Sequence, residues 1–110
     1  MLFTYCDKIN TDDKTTFFVD GIQDVPLHQN MIIKENSLIM FDTNQGNLVE
    51  VEIKGDQKIS SLKNFYNEVL PNLGWQILKK NKFKRDQNFL EIKYYIEKKK
   101  TIVKFKLIQK

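Results

Sequence analysis

Apolar residues recur at Ile59, Leu62, Phe65, Tyr66, Val69, Leu70 and Leu73. This is the spacing of one face of an amphipathic helix. Ser60 or Ser61 suits the N-cap, with Ile59 just outside it as a staple. Pro71 costs a hydrogen bond in the last turn, and Gly74 suits the C′ position that ends the helix. On this pattern Leu62, Phe65, Tyr66, Val69, Leu73 and Trp75 are expected to be largely buried. The rest of the chain follows a period of two. Leu90, Ile92, Tyr94 and Ile96 alternate with polar residues, as do Val103, Phe105 and Leu107, so residues 88–97 and 101–109 are predicted strands. Shorter strands are predicted over 75–79 and 82–86.

Ahead of the helix, residues 37–42 and 48–54 predict a hairpin. Asn44-Gln45-Gly46 suits a three-residue turn with glycine in the left-handed position. That register sets Phe41 opposite Val49 and Ile39 opposite Val51 on a core face. Leu38 and Met40 then join Glu50 and Glu52 on the other face. At the far end, pairing the last two strands sets Tyr94 opposite Phe105 and Ile92 opposite Leu107. It places Lys93 opposite Lys106 and Tyr95 opposite Lys104. Lys98-Lys99-Lys100 contains no turn-forming residue, so a loop longer than two residues is expected there.

The element order is therefore β-β-α-β-β-β-β after an irregular N-terminal arm. The fold class is α+β: a mostly antiparallel sheet of five or six strands with one helix packed across one face. At 110 residues the chain forms one domain, with residues 1–36 as the arm and residues 37–110 as the α+β core. Within the arm, Thr15-Thr16-Phe17-Phe18-Val19 reads as a short strand stopped at Asp20-Gly21, and the chain before Pro26 must be extended. One helix cannot cover both faces of such a sheet. The outer face falls to the arm, to a partner or to solvent.

Asp24-Val25-Pro26-Leu27, Phe41-Asp42 with Gly46, Phe65-Tyr66, Leu70-Pro71, Gly74-Trp75 and Phe83-Lys84-Arg85 together form a pattern. It resembles a family of small uncharacterised bacterial proteins of alphaproteobacterial type, which share D-V-P-L, F-Y-x-x-x-L-P-x-x-G-W and a following F-x-R strand. The resemblance spans residues 24–108 and its motifs are structural in kind. It implies a fold and an envelope location, and it implies no activity.

Charge is unevenly spread. Residues 1–70 hold six lysines against eleven acids, and residues 71–110 hold eleven lysines and Arg85 against three acids. Such a split marks either an anion-binding half or acidic strands pairing with basic ones. The chain has no alanine and a single arginine, which reads as codon bias. No run approaches the ~20 apolar residues of a membrane span, and the first residues lack the basic region of a signal peptide. The chain as it stands is expected in the cytoplasm, or in the periplasm or cell envelope if its N-terminus has been trimmed.

Catalytic sets are hard to assemble from these residues. His28 and Cys6 are the only residues of their kinds, so no internal disulfide is possible and a zinc site would need carboxylates from several elements. The segment from Asp42 opens like a calcium loop but has Asn47 where glycine belongs and Ile53 in place of the bidentate glutamate. The glycines form no phosphate-binding loop. No cofactor or metal is expected, nor an enzyme. The expected function is a non-catalytic interaction or accessory domain using the outer sheet face, with Leu38, Met40, Phe89, Ile102 and Ile108 as the partner surface. Its partner is an unknown protein or a second copy of the chain. The alternative is an anion-binding module for nucleic acid or acidic lipid headgroups, using Lys93, Tyr95, Lys104 and Lys106, because interleaved aromatics and cations suit polyanions.

Overall fold

A computed structural model describes Phe18, Val19, Gly21, Ile22 and residues 24–110. The reading of a strand at Thr15-Thr16-Phe17 and the thiol of Cys6 lie outside the described residues. Eight elements follow: β1 (Met31–Ile33), β2 (Ile39–Thr43), β3 (Gly46–Gly55), α1 (Ile59–Asn72), β4 (Gln76–Lys79), β5 (Lys82–Arg85), β6 (Asn88–Glu97) and β7 (Lys100–Gln109). All pairings are antiparallel, in the order β1-β3-β7-β6-β5-β4, and β2 shares with β1 the same side of β3. The fold is α+β. The sheet has seven strands because Met31–Ile33, within the expected arm, pairs with Ile53–Gly55. Three residues are too few for an alternation to show in the sequence.

The α1 stripe resolves into two rows. Leu62, Tyr66 and Leu70, each four residues apart, are fully buried. Phe65, Val69 and Leu73 form the neighbouring row and are only partly buried, because side chains one row round the helix reach the rim of the contact rather than its centre. The inner row meets Val51, Ile53, Phe83, Leu90, Ile92, Val103, Phe105 and Leu107 in one core. Tyr66 and Phe105 pack edge to face at 5.4 Å. The N-cap of α1 is Lys58, with no side-chain cap bond, so neither Ser60 nor Ser61 serves there. Thr101 holds the entry instead, donating to the Gln57 carbonyl at 2.6 Å.

A helix about 10 Å across spans roughly two strand spacings of ~4.8 Å. The arm covers more of the same face. Val19, Ile22 and Val25 are buried in the core beside α1. The Tyr66 hydroxyl donates to the Pro26 carbonyl at 2.8 Å. Val19, Ile22, Val25 and Pro26 thus widen the helix layer, and of the described arm Lys34 at its end reaches over to the outer face.

The end of α1 is a Schellman turn. Trp75 N–H bonds the Leu70 carbonyl and Gly74 N–H bonds the Pro71 carbonyl, with Gly74 at φ 94° as the expected C′ residue. Arg85 closes this junction. Its guanidinium donates to the Leu73 carbonyl at 3.0 Å, pairs with Asp24 at 2.8 Å and stacks 4.9 Å from the Trp75 ring. Trp75 Nε1 donates to the Asp24 carbonyl.

Two hairpins depart from expectation. The β6–β7 turn is only Lys98-Lys99, closed by Glu97 opposite Lys100. Both lysines take left-handed φ values of 51° and 67°. That conformation gives a two-residue turn the right-handed twist that long flanking strands require, and it prevails over side-chain preference. Tyr94 therefore faces Val103 and Ile92 faces Phe105, two residues from the expected register, with every side chain on its expected face. The β2–β3 turn is also two residues, Asn44-Gln45, with Thr43 opposite Gly46. Met40 now faces Val49 and Phe41 faces Leu48. A one-residue slip moves every side chain of a strand to the other face. Gly46 is needed against β7, since a Cβ there would collide with the Gln109 carbonyl.

Two stability measurements check this account. Arg85→Ala should lower the unfolding free energy by about 2–4 kcal/mol in urea titration, and Arg85→Lys should recover little, because one ammonium cannot both stack and fork. Replacing Lys98-Lys99 with Asn-Gly should stabilise by about 1–2 kcal/mol, read as a higher melting temperature.

Candidate interaction face

Because Val49, Val51 and Ile53 of β3, Val103, Phe105 and Leu107 of β7, and Leu90 and Ile92 of β6 enter the core, their neighbours point away from α1. Cross-strand rows result. Glu50 faces Lys106, which faces Glu91, which faces Lys82. Glu52 faces Lys104, which faces Lys93. Tyr95 lies opposite Ile102, not opposite Lys104, and Lys93 is opposite Lys104, not Lys106. The four residues expected on the outer face, Lys93, Tyr95, Lys104 and Lys106, do lie there together.

Acids share this face with the lysines. Lys104 pairs with Glu50 at 3.5 Å and Lys82 with Glu91 at 3.8 Å. Lys34, just after β1, reaches Glu52 at 3.1 Å and Glu97 at 3.3 Å. The Tyr95 hydroxyl donates to Glu52 at 2.5 Å. Since β7 lies between β3 and β6, Tyr95–Glu52 and Lys34–Glu97 cross above it as a polar arch. Ile102, beneath, is 2% exposed. It is therefore not available as partner surface, contrary to the sequence reading.

The hydrogen bond to Glu52, with burial and the Glu52 charge adding to it, pushes the Tyr95 hydroxyl up to about 12. Burial alone would raise the Glu52 carboxyl, but the bonds from Tyr95 and Lys34 outweigh it and hold the group below its usual value. Lys34 is raised in turn by its bonds to Glu52 and Glu97.

Apolar character collects along one end of the face. Phe41, Leu48, Ile108 and Phe89 form a continuous row across β2, β3, β7 and β6. Lys84 and Lys110 lie 5.5 and 4.8 Å from the Phe89 ring centre. Phe89 and Ile108 thus stand where the sequence placed them. Leu38 and Met40 do not. The slipped β2 register turns Met40 to the Val49 side, and Leu38 approaches Gly21 of the arm. Ile39 and Phe41, both about half exposed, replace them on the outer face. Only the turn length separates these two arrangements: Gly46, at φ 129°, closes a two-residue turn instead of lying within a three-residue one, and it also packs against Gln109 of β7.

No family model, curated protein or solved structure matches this chain.

His28 stands apart from the acids of the outer face. His28 lies on the α1 side of the sheet, edge-on to Phe65 at 4.9 Å, and its Nδ1 accepts from Asn30 N–H. Burial lowers its basicity. Glu50 and Glu52 are across the sheet from it. Among the described residues, no three His, Cys, Asp or Glu side chains gather as a metal would require, and no helix is long and apolar enough to cross a membrane. A depression of about 180 Å³ beside Leu78, Phe83, Phe89 and Ile108 is smaller than the ~300 Å³ where ligand sites begin. A wider one of about 410 Å³ at the β1–β3 end contains the Lys100–Asp56 ion pair.

The arch makes a pH-dependent prediction. Tyr95 should ionise near 12, followed by its ring NMR shifts, and Glu52→Gln should bring it back towards ~10. A hydroxyl raised on folding supports the fold fully below about 10 and loses that contribution as pH climbs through about 12. Wild type should thus lose its stability advantage over Glu52→Gln across that window.

Proposed function

We propose that this is a non-catalytic interaction domain that presents its outer sheet face to a protein partner. The observation that supports this is the row Phe41, Leu48, Ile108 and Phe89, an apolar strip on a sheet face that α1 and the described arm leave uncovered. Contiguous exposed apolar surface with a polar rim is characteristic of association sites. The charged rows beside it are suited to fixing orientation, since alternating acids and lysines discriminate against a partner of one sign. The same pairing argues against polyanion binding as the main role. Lys104 is engaged by Glu50, and Lys106 stands between Glu50 and Glu91.

Affinity capture from cells that encode the protein tests this reading. Wild type should retain a stoichiometric protein partner. Leu48→Glu with Phe89→Lys should weaken retention at least about tenfold, the equivalent of ~1.4 kcal/mol, while Glu68→Lys on the exposed side of α1 should not. Capture indifferent to the outer-face changes, or no partner at all, would sink the proposal.

A further inference from the structure

The sheet ends in two quite different edges. At one end, β4 carries Lys79, is followed by Lys80, and has a register irregularity between Ile77 and Lys79. Lysines and bulges on an edge discourage pairing with another chain. At the other end, β2 has no such protection. Leu38, Ile39, Met40 and Phe41 are consecutive apolar residues, and all are exposed, Met40 at 64%. Residues 38–43 contain no lysine, no proline and one charge, Asp42, and their pairing with β3 is unbroken over Ile39–Thr43. Among the described residues, nothing pairs with the free side of β2.

The backbone on that side is set for bonding. Lys34 N–H donates to the Glu52 carbonyl at 2.8 Å, so even-numbered residues of β3 direct their backbone groups towards β1 and β2. By the alternation of an antiparallel ladder, Ile39, Phe41 and Thr43 bond to Glu50, Leu48 and Gly46, while the N–H and C=O of Met40 and Asp42 point outward. We propose that β2 is the edge through which two copies of this chain join their sheets, antiparallel and related by a two-fold axis at Met40. This deepens the interaction reading by naming a partner for the same sheet.

The strand is self-complementary in that register. Met40 faces its own counterpart. Ile39 meets the second copy's Phe41 on the outer face, and the reverse pair repeats it. Leu38 meets the second copy's Asp42, so the two carboxylates never oppose one another. Cross-strand apolar pairs stabilise a sheet and facing like charges destabilise it, and this register satisfies both. It also extends the apolar row of each copy by one side chain, Ile39 of the other, across a continuous sheet.

Light scattering after size exclusion, together with amide exchange by NMR, tests the proposal. Wild type should show about twice the 13.1 kDa of one chain, with the dimer fraction rising with concentration. Its Met40 and Asp42 amides should exchange slowly. Met40→Lys changes an exposed side chain and should leave the circular dichroism unaltered. Its mass should return to that of one chain and its Asp42 amide should exchange quickly, while the Phe41 amide, bonded within the protomer, stays protected in both proteins. A wild type of single-chain mass with fast Met40 and Asp42 amides would overturn the edge pairing, as would a Met40→Lys protein that stays dimeric. Phe89 lies on β6, separated from this edge by β3 and β7. Partner capture sensitive to Phe89→Lys alone would therefore leave the outer-face reading intact while the edge pairing failed.

Discussion

A tryptophan at the end of the only described helix holds three parts of this protein together. Trp75 N–H closes the Schellman turn on Leu70, and its ring fills the core. Its indole nitrogen binds the Asp24 carbonyl, and Arg85 lies across its face while reaching Asp24 and the Leu73 carbonyl. Helix, arm and β5 therefore share one junction. A helix C-terminus leaves carbonyls without partners, and here an arginine from the sheet satisfies one of them. Tyr66, two turns earlier, repeats the device by binding the Pro26 carbonyl. The D-V-P-L, F-Y, L-P and G-W segments all converge here, where their chemistry is that of packing and capping.

With the helix and arm both committed to one face, the opposite face must be stable in contact with water. It achieves this with strands of opposite charge. The acids of β3 sit beside the lysines of β7, which sit beside Glu91 of β6. The excess of positive charge in the C-terminal part of the sequence is thereby answered by the acidic part across a strand boundary. Exposed pairs of this kind add little stability individually, but together with the Tyr95–Glu52 link they fix side chains that would otherwise be mobile and bury Ile102. Apolar side chains stay accessible along the Phe41–Phe89 row and the β2 edge, and singly at Ile32, Ile77, Leu78 and Ile96. The row and the edge meet at Phe41, at one corner of the sheet.

Much of this was legible from periodicity. The stripe at Leu62, Tyr66 and Leu70, the stop at Gly74 and the alternation of Leu90–Ile92 and Val103–Leu107 each state their element and its buried side, because a helix repeats every 3.6 residues and a strand every two. The outward position of Lys93, Tyr95, Lys104 and Lys106 follows from the same parity and survives a register two residues from the expected one. Displacement by an even number preserves the face.

Tertiary structure alone decided the odd displacement and the absent signal. Asn44-Gln45-Gly46 is compatible with either turn length. In the structure Gly46 takes φ 129° and lies close against the Gln109 carbonyl, a neighbour more than sixty residues away, and the two-residue turn moves Met40 and Phe41 each to the face opposite the expected one. Lys98-Lys99 adopts a left-handed turn because the ten-residue strands on either side impose their twist, which no local preference of lysine announces. Met31–Ile33 is a strand only because β3 extends far enough to receive it. Sequence determined which residues seek the core, since that depends on each side chain and its periodic neighbours. Structure determined which surface is left open, since that depends on how distant strands align.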